Sequence, residues 1–178
     1  MSPAVFSDPV VDSTKGFPPI LGEQANTLIL GTLPSQQSLM KQQYYGHPRN
    51  AFWPIMDRLL GADPEIDYGE RMRLLTSRGI AVWDVLKSGS RPGSMDAAID
   101  KNSAVPNDFA TLYSNHPEIK LVCFNGQAAE QLFRKLVPMD IQESFAAVRF
   151  VTMPSTSPAY AAMKFEEKLQ HWSIVCVD

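Results

Sequence analysis

The chain has 178 residues, a net charge of −3, 44% apolar residues and 20% charged residues. That length suits one domain of ~100–200 residues, large enough to bury a real core without disulfide or metal staples. The composition excludes a disordered chain or a coiled coil. The charge excludes a broad cationic glove for nucleic acid but leaves room for a local basic groove.

Residues 1–26 read as an extended lead-in, because Phe17-Pro18-Pro19 blocks helix. Their start lacks a basic segment followed by an apolar one, so no signal peptide is expected. No apolar run approaches the ~18 residues of a membrane span. A single domain is expected over 27–178. Cys123 and Cys176 sit apart in apolar contexts. Neither forms a Cys-x-x-Cys pair, so a reduced, cytoplasmic protein without a bound metal is expected.

Four apolar runs have strand length: 27–30, 80–85, 119–124 and 148–153. Each is nearly continuous, as in strands buried on both faces. Helical periodicity fills the intervals at 51–60, 68–77, 127–137 and 165–175. Strands alternating with helices predict an α/β fold with a mostly parallel sheet. Ligands of such sheets bind beyond the carboxyl ends of the strands. The segments there are Gly31 to Ser38, Asp84 to Arg91, Asn125-Gly126-Gln127 and Met153 to Ala159. All are rich in hydroxyl residues, glycine, proline or amides.

Two of these segments contain Pro-Ser, at Leu33-Pro34-Ser35 and Met153-Pro154-Ser155. Backbone N–H groups with serine hydroxyls beside them suit phosphate oxygens. Turn formation and helix capping by Ser35 or Ser157 explain them equally well. The densest run is Tyr44-Tyr45-Gly46-His47-Pro48-Arg49-Asn50-Ala51-Phe52-Trp53-Pro54. Rings to stack on, a guanidinium and an amide are the chemistry of nucleobase recognition. Trp53 reads as core and Asn50 doubles as a helix cap, whereas Tyr45, His47 and Asn50 bring more polarity than a core needs. Asp84 closes an apolar strand and must either read a polar ligand edge or pair with Lys87 or Arg91. Those two cations, with Lys41, Arg49 and Lys164, form the only phosphate-facing patch available. Asn125 is either a site amide or part of a strand-to-helix turn.

The order of strand–GTLPS, YYGHPRNAFW, strand–NGQAA and strand–MPSTSPA resembles the uracil-DNA glycosylase superfamily. The branch that excises hypoxanthine (deoxyinosine) from DNA is the most similar. The likeness spans roughly residues 27–177. It implies a three-layer αβα sandwich around a central four-stranded sheet, with no cofactor. The four cysteines of its iron–sulfur members are missing. Leu33 occupies the place where most branches carry a polar, water-positioning residue, and Asn50 is the implied substitute. Phe52 matches the ring that stacks on the flipped base. Asp84 falls where relatives read the base edge, and Asn125 joins it. Ser35, Ser38, Lys87, Arg91, Pro154, Ser155, Thr156, Ser157 and Pro158 are implied contacts to flanking phosphates or to the gap left in the base stack, which Met153 also helps to fill. His47 is implied as a donor to either the leaving base or a phosphate.

These residues predict a monomeric, monofunctional glycosylase acting on DNA with deaminated bases: hypoxanthine first, then uracil or xanthine. Two other classes use the same rim. One is a serine hydrolase built on Ser35 or Ser155 with His47 and Asp84, although neither serine sits in a glycine-flanked elbow. The other is a noncatalytic module binding nucleotides or damaged DNA.

Overall fold

The computed structural model describes residues 13–176. The part of the lead-in at 1–12 and the last two residues lie outside the described residues. In chain order the elements are β1 (Thr14–Lys15), β2 (Thr27–Gly31), α1 (Gln36–Lys41), α2 (Phe52–Leu60), α3 (Tyr68–Ser77), β3 (Ile80–Asp84) and β4 (Leu86–Ser90). There follow β5 (Asp100–Pro106), α4 (Phe109–Asn115), β6 (Leu121–Asn125), α5 (Gln127–Leu136), α6 (Met139–Ser144), β7 (Arg149–Met153) and α7 (Phe165–Trp172).

The main sheet runs β3-β2-β6-β7, and its three ladders are all parallel. Alternation along each strand sends side chains to opposite faces. Leu28, Leu30, Val122 and Phe124 therefore meet α4 and α5 through Phe109, Leu112, Leu132 and Phe133. Ile29, Ile80, Val82 and Cys123 meet α2, α3 and α7 through Phe52, Ile55, Leu75 and Trp172. Helices thus cover both faces of the sheet, which explains why its strands carry no polar alternation. Each such buried large side chain contributes ~1.5–3 kcal/mol. No helix among the described residues is long and apolar enough to cross a membrane.

Several expectations are corrected. The apolar run expected as one strand over 80–85 ends at Asp84. The backbone N–H of Val85 donates to Gly31 O at 2.8 Å and that of Leu86 to Thr32 O at 3.1 Å. These bonds turn the chain into a second, antiparallel sheet ordered β1-β4-β5. That sheet escaped the sequence reading because Leu-Lys-Ser-Gly-Ser and its partner have no sustained apolar period. The third run starts as a strand only at Leu121. The last helix stops at Trp172 and tightens into a 3₁₀ turn over Ser173–Cys176. Upstream of β2, Thr14 pairs with Gly89 and Ile20 bridges Val82 from the sheet edge. Ile20 and Ala25 are buried there.

Candidate active site

The register of the main sheet sets the floor of the site. Gly31 lies opposite Asp84, and Asn125 lies opposite Met153. A cleft of about 280 Å³ opens above these ends. It brings together Leu33, Ser35, Ser38, Tyr45, Asn50, Asp84, Arg91, Asn125, Ser155, Thr156 and Ser157 from the expected residues. It does not include His47, Phe52, Lys87, Pro154 or Pro158.

Four contacts hold the turn that delivers Tyr45. Trp53 Nε1 donates to Tyr44 O at 2.8 Å, and Tyr44 N donates to Tyr68 Oη at 3.0 Å. On the other side, Gly46 N donates to Ser38 Oγ at 3.0 Å and Lys41 Nζ donates to Gly46 O at 2.8 Å. Clamped this way, Tyr45 adopts a φ of 54°, a left-handed conformation that costs a non-glycine residue of order 1 kcal/mol. Its ring stacks on Phe52 with centroids 4.1 Å apart.

That stacking corrects the role expected of Phe52. The Phe52 ring is fully buried beneath Tyr45, so the aromatic face turned to the cleft belongs to Tyr45. Three further expectations change. Arg91 is a buried clamp. Its guanidinium donates to Leu33 O at 3.1 Å and to Pro34 O, and pairs with Asp96 at 3.1 Å. Lys41 is engaged at Gly46, so the expected cationic patch reduces on its exposed side to Lys87, Arg49 and Lys164. Met153 is buried in the core and cannot fill a gap in DNA. The exposed Tyr160 lines the cleft instead.

Asn50 Oδ1 accepts from Phe52 N at 2.9 Å, a turn just ahead of α2 that orients the carboxamide at the cleft wall; the N-cap of α2 is Ala51, so Asn50 is not the helix cap expected of it. The Asn125 carboxamide closes a two-way pair with Thr156. It donates to Oγ1 at 2.9 Å and accepts from the backbone N–H at 2.9 Å. The β7 loop is thereby tied to the end of β6, and Thr156 O in turn accepts from Ala51 N at 2.9 Å. Ser155 and Ser157 accept from backbone N–H groups two residues on, at 3.2 Å each. Trp172 Nε1 and Lys168 Nζ hold the loop from below at Pro154 O and Tyr160 O, at 3.0 and 2.8 Å.

Sequence reasoning missed the wall formed by residues 94–97. Thr32 Oγ1 donates to Asp96 Oδ1 at 2.7 Å, and Gln36 N donates to Ser94 Oγ at 3.1 Å. These pairs join residues about sixty positions apart and have no local signature. The only signal was the cluster of small and charged residues after Arg91.

At the floor, Asp84 Oδ2 and Tyr45 Oη are both buried and both lack a hydrogen-bond partner. Burial pushes the Asp84 carboxyl up to about 7. Arg91 pulls it the other way and Asp96 adds to the rise. Burial first, then Asp84, raises the Tyr45 hydroxyl well above the ordinary tyrosine range. A β-carbon on Gly31 would lie 2.6 Å from Asp84 Oδ1 and 2.9 Å from Tyr45 Oη. Gly31→Ala should therefore force both groups aside and cost ~1–3 kcal/mol. In a thermal melt this lowers Tm by roughly 5 °C, and an unchanged Tm would show that the floor has slack.

Among the described residues, no hydrogen bond joins Ser35, His47 and Asp84. His47 Nδ1 instead accepts from Arg49 N at 3.0 Å. Nor do three or more His, Cys, Asp or Glu side chains there converge as a metal site. The arrangement offers an aromatic face, a carboxyl and a hydroxyl at the floor, an amide on the wall, and turns rich in N–H groups at the rim.

Known proteins resemble this chain in sequence and fold. The model of the uracil DNA glycosylase superfamily matches residues 18–175. A hypoxanthine DNA glycosylase of Methanosarcina acetivorans is 42% identical over 116 residues, 65% of this chain and 72% of the relative. One from Methanosarcina barkeri is 43% identical over 114 residues, 64% of this chain and 71% of the relative. A solution NMR structure from M. acetivorans, provisionally named a uracil DNA glycosylase, superposes with a TM-score of 0.71 at 33% identity. That superposition covers 92% of this chain and 99% of the other.

Proposed function

Because the chain belongs to the uracil DNA glycosylase superfamily, we propose that its cleft receives one deaminated base turned out of DNA, hypoxanthine before uracil or xanthine, and that water displaces the base from the sugar. The chain is a DNA glycosylase, and DNA is its substrate. The observation that carries the base-level reading is the cleft floor, where two polar atoms without partners sit beside the ring of Tyr45. A flat heterocycle with polar edges satisfies all three.

The target carbon, C1′, cannot be reached inside the duplex. The nucleotide must swing out, which costs a few kcal/mol and least for a mispaired base. In this reading Tyr45 stacks on the extruded base and Asp84 meets its edge. Asn125 shapes the site through Thr156. The turns at Ser35, Ser155 and Ser157 hold flanking phosphates, and Tyr160 occupies the space the base has left. Hydrolysis breaks the bond from C1′ to the base nitrogen, and the electron pair leaves with the base. Positive charge grows on the sugar, as in other glycoside hydrolyses. Water then adds to C1′, and its proton ends on the released base. Asn50 orients that water, since an amide acts by position more than by basicity. With His47 outside the cleft, no histidine among the cleft-lining residues protonates the leaving base. The free thiols Cys123 and Cys176 support a cytoplasmic setting.

The test is a panel of oligonucleotides carrying hypoxanthine, uracil or xanthine, incubated with the protein and then treated with alkali to cleave abasic sites. Strand cleavage greatest for hypoxanthine supports the reading. Tight binding with no cleavage on any strand would instead establish a noncatalytic binder.

A further inference from the structure

The floor of the cleft raises a question of charge that the proposed function leaves open. Asp84 Oδ2 is sealed from solvent with no hydrogen-bond partner. A buried carboxylate in that condition is costly. The groups that face it from neighbouring elements offer little relief. Arg91, just past β4, already spends its guanidinium on Leu33 O, Pro34 O and Asp96. Asp96, on the 94–97 wall, carries the same sign of charge. From the turn after α1 come the hydroxyls of Tyr45 and Tyr44, and Tyr44 Oη donates to Pro18 O at 2.9 Å. Among the described residues no cation hydrogen-bonds Asp84, and Arg91 opposes its burial only through space.

A neutral carboxyl differs from a carboxylate in what it can recognise. It presents one O–H donor and one carbonyl acceptor side by side, whereas the ionised group presents acceptors only. Hypoxanthine, uracil and xanthine share a lactam edge, a ring N–H beside a C=O. A neutral carboxyl meets that edge with two antiparallel hydrogen bonds. A carboxylate would repel the lactam oxygen.

Resting on the reading that the cleft receives a deaminated base, we propose that Asp84 grips that base as the un-ionised carboxylic acid, accepting from the lactam N–H and donating to the lactam oxygen. Geometry carries the assignment: the Asp84 carboxyl, whose Oδ2 has no partner, reaches Gly31 through Oδ1 beside the partnerless Tyr45 hydroxyl, and only a missing side chain leaves room for them. The direction in which burial moves the Asp84 carboxyl, up to about 7, agrees with it. Recognition then fades as the carboxyl ionises.

The experiment is single-turnover release of hypoxanthine from an inosine-containing duplex between about pH 6 and about pH 9, for the wild type, Asp84→Asn and Asp84→Ala. The wild-type rate is expected to level off on the acid side and to fall about tenfold per pH unit above neutrality. In Asp84→Asn the alkaline fall disappears, because the amide offers a donor and an acceptor that do not titrate. Asp84→Ala loses about 100-fold on the acid side and shows no alkaline fall, so the gap to the wild type closes as pH rises, while the variant still binds abasic DNA. A wild-type profile flat across the range overturns the proposal, as does an alkaline fall that persists in Asp84→Asn. Either result leaves the glycosylase reading intact, because base is still released. A wild type that releases no base at any pH overturns both.

Discussion

Replacing Asn50 with alanine should lower the single-turnover rate of hypoxanthine release by roughly 100- to 1,000-fold while binding to abasic DNA persists. The expectation follows from where the amide is held. Its Oδ1 accepts from Phe52 N, so the carboxamide cannot swing away from the cleft wall. Leu33, the apolar residue at the opposite loop, cannot order water. Removing the amide thus removes the group positioned to orient the nucleophile. It also removes the hydrogen bond from Phe52 N, worth about 1 kcal/mol. Asn50→Ser separates the two effects. The serine hydroxyl again accepts from Phe52 N and restores the melting temperature, yet is too short to place water over C1′. The serine variant should melt like the wild type and cleave like the alanine variant. A rate for Asn50→Ala within tenfold of the wild type would remove Asn50 from the chemistry.

The second large effect is on stability. Arg91→Ala should cost about 3 kcal/mol, because it strands the carbonyls of Leu33 and Pro34 and breaks a pair whose arginine side is almost wholly buried. For a chain of this size that lowers Tm by roughly 6–12 °C. Arg91→Lys recovers only part of it, since one ammonium cannot serve three acceptors arranged for a planar fork. The salt dependence of DNA binding should not change. If Tm stays put and the slope of log K against log salt drops by about one, Arg91 contacts a phosphate after all. The sequence favoured that contact, and the reason for the reversal is physical. A cation beside a polar loop looks the same on paper whether it faces solvent or turns inward to satisfy carbonyls.

The same distinction separates what was readable in the chain from what was not. Runs such as Ile80 to Asp84 announce strands covered on both faces, and the residues that follow them announce a rim. Asn50, Tyr45, Asp84 and Asn125 were identifiable because amide, phenol and carboxyl are out of place next to apolar strands. Which ring of Tyr45 and Phe52 faces the cleft was not readable. Both are aromatic, and the choice depends on a left-handed backbone at Tyr45 enforced by Ser38, Lys41, Tyr68 and Trp53. The wall at 94–97 was invisible for another reason. Thr32, Arg91 and Asp96 mean little singly, and their meeting depends on the second sheet returning the chain to the first strand loop. Residues 14–20 likewise read as a plain extended lead, whereas Phe17 reaches the cleft lining.

The clamps on Tyr45 have a consequence for how this scaffold can change its diet. A stacking ring locked from both flanks cannot make way for a bulkier or differently tilted guest, and any mutation that loosens it sacrifices the scaffold's own fastening points. The far wall is tethered more lightly, through Asp96 and the Ser94 hydroxyl. New substrate preferences should therefore arise by remodelling residues 92–98, and a randomised library confined to that stretch should yield altered selectivity far more often than one placed across 42–46.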